Sequence, residues 1–101
     1  MQKRVYMTYM IVRHKVKDYK KWKQAVHNHS DMRKAGGETS FRVFRSADDS
    51  NNLTVLCEWD SLAKARKFIQ SKELREAMKQ AGVIGKPQIY FFNQSESLDL
   101  A

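Results

Sequence analysis

At 101 residues the chain has room for one hydrophobic core and no second domain, and a hydrophobic content of 42% excludes a disordered polyelectrolyte. One cysteine, Cys57, excludes an internal disulfide, four glycines and one proline argue against long loops, and no apolar run nears the roughly 20 residues that span a bilayer. The net charge of +8 attracts anions, whether nucleic acid, phosphates or acidic metabolites, although a solvated helix face that confers solubility accounts for it with fewer assumptions.

The start, Met1 to Tyr6, is basic. The apolar run after it is broken by Arg13, His14 and Lys15, and no small-residue cleavage site follows. We therefore expect no secretory signal and a cytoplasmic protein. Residues 7–16 are rich in β-branched and aromatic side chains and read as a strand. Asp18 suits an N-cap, and from Tyr19 to Ala35 the residues Tyr19, Trp22, Val26, His29 and Met32 recur at helical spacing. Gly36-Gly37 should close that helix with a left-handed cap. Glu38 to Ser46 alternates Phe41, Val43 and Arg45 against Arg42 and Phe44, as a second strand would. The cluster 48–52 is a turn, so Leu53 to Trp59 forms a hairpin with it. Cys57 lies within that apolar strand and reads as a small buried hydrophobe. Asp60 or Ser61 caps a helix with Leu62, Ala65, Phe68 and Ile69 on one face. Ser71 caps another, with Leu74, Ala77, Met78 and Ala81 inward, closed by Gly82. Pro87 opens a last strand over 88–94, and the polar tail 95–101 is expected to fray.

The order β, α, β, β, α(α), β specifies an α+β, ferredoxin-like βαββαβ fold. It comprises a four-stranded antiparallel sheet with helices on one face, within a single domain over 1–101 whose core spans about 7–94. Met10-Ile11-Val12, Val55-Leu56-Cys57 and Ile89 to Phe92 are apolar at consecutive positions, so both sheet faces are hydrophobic while helices can cover only one. A second copy packed sheet to sheet removes the exposed patch, and we expect a homodimer.

Several stretches resemble one known group. These are Ile11 to Trp22, Arg42 to Arg45 leading into Ala47 to Asp49, Glu58-Trp59-Asp60, Leu74 to Met78, Ala81 to Val83 and Gly85 to Pro87. Over roughly 9–94 the chain resembles the dimeric α/β-barrel proteins related to antibiotic biosynthesis monooxygenases. The resemblance implies the same fold and dimer, and a ligand held in an apolar pocket between sheet and helices of each subunit. It spans cofactor-free monooxygenases, haem-degrading enzymes, isomerases and cyclases, so it leaves the reaction open. The haem-degrading members use a histidine on the helix after strand three. Ser61 to Ala81 holds none, and no cofactor is expected. The cofactor-free monooxygenases use asparagine and tryptophan. Strand one holds no asparagine, and Trp59 is the counterpart of the tryptophan.

His14 and His29 are the candidate acid/base residues, although His29 on the apolar stripe also reads as a core-edge residue with a backbone hydrogen bond. His27 falls on the polar face. It diverges from His29 by roughly 200° on a helix, so the two do not chelate, and no metal site is expected. Arg13, Trp59, Phe68 and Tyr90 are candidate substrate-binding residues, although each aromatic taken alone reads more readily as ordinary core and Arg13 also reads as a cross-strand pair. Three functions follow. One is an oxygenase or isomerase acting on an aromatic or anionic small molecule. Another is a non-catalytic ligand-binding or protein-interaction module. The last is an RNA-binding domain of the same element order, for which strand three lacks the basic-Gly-aromatic signature, so no nucleic-acid partner is expected. No membrane partner is expected either.

Overall fold

The computed structural model describes residues 7–100; the basic start, Met1 to Tyr6, and Ala101 lie outside the described residues. Eight elements follow in order: β1 (Thr8–Val16), α1 (Tyr19–Asn28), α2 (Ser30–Gly36), β2 (Glu38–Arg45), β3 (Asn52–Trp59), α3 (Leu62–Ile69), α4 (Lys72–Gln80) and β4 (Val83–Asn93). The strands form one antiparallel sheet in the order β2-β3-β1-β4, the ferredoxin-like arrangement expected from the element order.

Three of the four helices begin on side-chain caps that the sequence signalled. Asp18 accepts the Lys21 N–H at 3.2 Å, Ser61 that of Lys64 at 3.0 Å, and Ser71 that of Leu74 at 3.2 Å. Gly37 ends α2 at φ 114°, a conformation that favours glycine, and a Cβ there would lie 2.8 Å from Asp60 Oδ1.

Two boundaries differ from the sequence reading. The helix expected from Tyr19 to Ala35 is two helices that meet at His29. The His29 ring nitrogen Nδ1 donates to the Ala25 carbonyl at 2.8 Å, the acceptor that a continuing helix would offer the His29 backbone N–H. That N–H turns to Val26 O at 3.2 Å, and α2 restarts with Arg33 N–H donating to His29 O. The last strand begins at Val83 rather than after Pro87. Between the pairs Lys15↔Ile84 and Arg13↔Gln88, one residue of β1 (His14) faces three of β4, a bulge with Gly85 at φ 72° and Pro87 inside it. Pro87 is tolerated because β4 is an edge strand and the ladder is already interrupted there.

Alternation decides the two faces of the sheet. Met10, Val12, His14 and Val16 of β1, with Leu53, Val55, Cys57 and Trp59 of β3, are buried toward the helices. With Trp22, Ala65 and Ala81 the apolar members of this set make the core, each large side chain contributing roughly 2 kcal/mol by leaving water. Leu62, expected on the inward face of α3, is instead exposed at its first turn. On the other side the register aligns Arg42, Leu56, Ile11 and Tyr90 in one row and Glu58, Tyr9 and Phe92 in the next. Phe44, Tyr90 and Phe92 remain about half exposed there, so the uncovered face is apolar at its centre. No helix among the described residues is long and apolar enough to cross a membrane.

Candidate functional site

A cavity of about 60 Å³ lies between the sheet and the helices. Its floor is Met10, Val12 and His14 of β1 with Val55 and Phe41, and its walls come from Trp22, Ala25 and Val26 of α1, Met32 and Arg33 of α2, Phe68 and Ile69 of α3 and Leu74, Ala77 and Met78 of α4. The lining is almost wholly apolar, with His14, His29 and Arg33 as its polar members.

His14 points inward because β1 alternates, and Arg13 and Lys15 on either side of it face away and are exposed. It is 8% exposed, and its ring lies 5.6 Å from that of Trp22. Neither ring nitrogen has a hydrogen-bond partner among the described residues. Burial disfavours the charged imidazolium and pushes its pKa down from 6.5 to about 4. The β4 bulge falls opposite this residue on the neighbouring strand. A neutral imidazole with both nitrogens unpaired in an apolar cavity is costly to the fold and offers a hydrogen-bonding post to any ligand that enters.

His29 differs. A carbonyl only accepts, so its bond to Ala25 O places the proton on Nδ1 and leaves Nε2 with a lone pair. This residue keeps some contact with solvent. Of the two histidines lining the cavity it is the one with a ring nitrogen held in the protein's hydrogen bonding, whereas His14, pushed down to about 4, is a weak base.

The candidate residues thus divide. His14, His29 and Phe68 line the cavity together. Trp59 is fully buried behind it, 4.9 Å from the Phe68 ring, with its indole N–H unpartnered among the described residues. Arg13 and Tyr90 lie on the opposite face of the sheet, paired in register with Gln88 and Ile11 respectively, and so do not meet the histidines. His27 is exposed on α1, and among the described residues no group of three or more metal-ligating side chains comes together.

Sequence reasoning missed a partly buried ion pair at the cavity wall. Arg33 Nε and Nη2 donate to the two carboxylate oxygens of Glu38 at 2.7 and 2.8 Å, with the side chains 14% and 6% exposed. The guanidinium also lies over Phe41 and Phe68, 4.6 and 5.1 Å from their centroids. Cys57 packs beneath it, and burial with the Glu38 charge pushes the thiol up to about 12, a protonated and unreactive group. The left-handed turn at Gly37, between α2 and β2, brings the residues on either side of it together.

No family model and no curated protein sequence matches the chain. Solved structures do match it in fold. SnoaB, a cofactor-independent oxygenase from Streptomyces nogalater, superposes with a TM-score of 0.73 at 11% identity, over 92% of this chain and 97% of that one. A monooxygenase from ActVA-Orf6 of Streptomyces coelicolor, solved in complex with nanaomycin D, does so at 0.68 and 19% identity, over 95% and 94%. A Bordetella bronchiseptica protein provisionally assigned as an antibiotic biosynthesis monooxygenase gives 0.73 and 17% identity, over 92% and 99%. In fold, then, the chain stands with antibiotic biosynthesis monooxygenase-like proteins, among them cofactor-independent oxygenases.

Proposed function

We propose that the protein binds a small aromatic molecule carrying an acidic O–H or C–H in the helix–sheet cavity and oxygenates it without a cofactor. The observation that carries this reading is His14, buried with both nitrogens unpaired and facing an apolar space. The cofactor-independent oxygenases among the structural neighbours support the choice of reaction.

Each residue then has a defined part. His14 stays neutral and hydrogen-bonds a substrate hydroxyl or carbonyl, fixing the ring against Trp22 and Phe68. His29 Nε2 accepts the substrate proton. The resulting anion delivers electrons to dioxygen; a ring methylene becomes a carbonyl and the second oxygen atom leaves as water. An imidazolium at His29 and the Arg33 guanidinium stabilise the anion while it exists. A cavity of about 60 Å³ is smaller than the roughly 150 Å³ that accepts benzene, so binding requires its walls to move. Met10, Met32 and Met78 line it, and methionine repacks more easily than any other apolar side chain.

We propose further that the protein works in the cytoplasm as a homodimer of single-domain subunits joined through the open sheet face. The apolar row Leu56, Ile11 and Tyr90 supports that reading, because a contiguous exposed patch of this kind is a liability in a monomer. The same contact would place Tyr90 and Arg13 in the dimer seam rather than the pocket.

A panel of anthrones, which carry such a ring methylene, incubated with the protein under isotopically labelled dioxygen, tests the reaction. One label should appear in the product, and His29→Ala should lower the rate by at least about a hundredfold while leaving binding intact. Label-free product with every compound, or full activity in His29→Ala, would overturn the assignment.

A further inference from the structure

Outside the cavity lies a second, open recess of about 780 Å³, between α1, α2 and the edge strand β2. The two spaces share four lining residues, Trp22, Val26, Arg33 and Phe41, so they meet across one thin wall. The charges in the recess are unequal in their availability. Both acids are already neutralised: Glu38 by Arg33, and Asp60 by Lys64 at 3.0 Å. Lys23 and Lys34 are exposed there and form no ion pair among the described residues. Arg33 uses Nε and Nη2 on Glu38, which leaves the two hydrogens of Nη1 without a partner among the described residues.

We propose that cavity and recess are the two halves of one ligand site, and that the recess holds an anionic side arm of the substrate. Lys23, Lys34 and Arg33 Nη1 bind the anion, while the ring enters the cavity beside His14. The substrate class is therefore an aromatic carboxylic acid, or an equivalent anion, whose charge stands a short flexible arm away from its ring. Arg33 acts here as the specificity-determining residue at the junction. Its pairing with Glu38 fixes the guanidinium plane, so the second anion meets a donor pair that is already oriented. The unbalanced positive recess also draws such a ligand in ahead of neutral analogues.

This inference rests on the cavity being the substrate site, and its test separates the two. The full-length protein is titrated calorimetrically with 2-methylhydroquinone and with 2,5-dihydroxyphenylacetate, which differ by one carboxylate. The acid should bind about tenfold more tightly. That preference should shrink as potassium chloride is raised, since the recess is open to screening ions. Most of it should vanish in the double variant Lys23→Gln/Lys34→Gln, which alters exposed positions and so leaves the fold intact. Equal affinity for the two compounds, or a preference untouched by the double variant, overturns the anionic arm while the cavity assignment stands. Binding of neither compound overturns both.

Discussion

Replacing His14 by leucine should make the protein more stable, and increasingly so as the solution is acidified. In the native state its pKa lies at about 4, against an ordinary 6.5 in the unfolded chain. Between those values the unfolded chain holds the proton and the native state does not, so stability is full above about 6.5 and falls as the pH drops toward 4. The whole difference is worth about 3 kcal/mol, and about 2 kcal/mol of it is gone by roughly pH 5. The imidazole is 8% exposed, so solvent screening reduces this figure little. Urea unfolding of wild type and His14→Leu near neutral pH and at about pH 5 measures it directly. Carboxylates contribute to the acid slope of both proteins and cancel in the difference. Wild type should lose about 2 kcal/mol more than the variant between the two conditions, which for a chain of this length is a melting shift of roughly 10 °C. Equal losses would mean that His14 titrates normally, and the account of a desolvated, unpaired imidazole would fail. A ligand that hydrogen-bonds His14 should lift the penalty for its neutral form and narrow the gap near neutral pH.

Three other expectations follow from the same geometry. Glu38→Gln leaves the partly buried Arg33 guanidinium without its bidentate partner and should cost about 1–3 kcal/mol in urea unfolding; no measurable cost would mean that water replaces the carboxylate fully. The Cys57 thiol, fully buried and held near 12, should react with an aromatic disulfide reagent only as fast as the protein unfolds, and rapid stoichiometric labelling in native buffer would contradict that placement. Ile11→Lys puts a charge at the centre of the open sheet face and, for the homodimer proposed above, should halve the mass measured by light scattering without loss of circular dichroism; a wild-type mass of a single chain, or a mass unchanged in the variant, would overturn that contact.

The strands were legible because β-branched and aromatic residues cluster between clear turn signals, and the helix starts because Asp18, Ser61 and Ser71 cap as their chemistry suggests. The break at His29 was not, since apolar spacing from Trp22 through Met32 continues across it and the cause is one side-chain hydrogen bond. Pro87 misled as a strand opener because the strand simply bulges around it. Among the site residues, the grouping of His14 with Arg13 shows where periodicity was available and unused. Arg13 and Lys15 flank His14 at alternate positions, so if either charge faces water, His14 faces the core. Arg33 and Glu38 were out of reach for a different reason. Their meeting depends on the turn at Gly37, and no spacing rule for a helix or a strand covers a pair that spans the junction between them.

The bulge in β4 also bears on how the chain avoids the wrong kind of association. A sheet with an apolar face can grow by stacking, which closes after two copies related by a two-fold axis, or by adding strands head to tail at an edge, which leads to fibres where the rotation does not close. The irregular stretch 85–87 interrupts the regular row of outward-facing donors and acceptors on β4, and Pro87 carries no N–H at all. An incoming strand would find its ladder broken partway along. The distortion opposite His14 therefore doubles as a guard against open-ended polymerisation, so shortening β4 by the two extra residues to regularise it should yield a chain that precipitates more readily at high concentration.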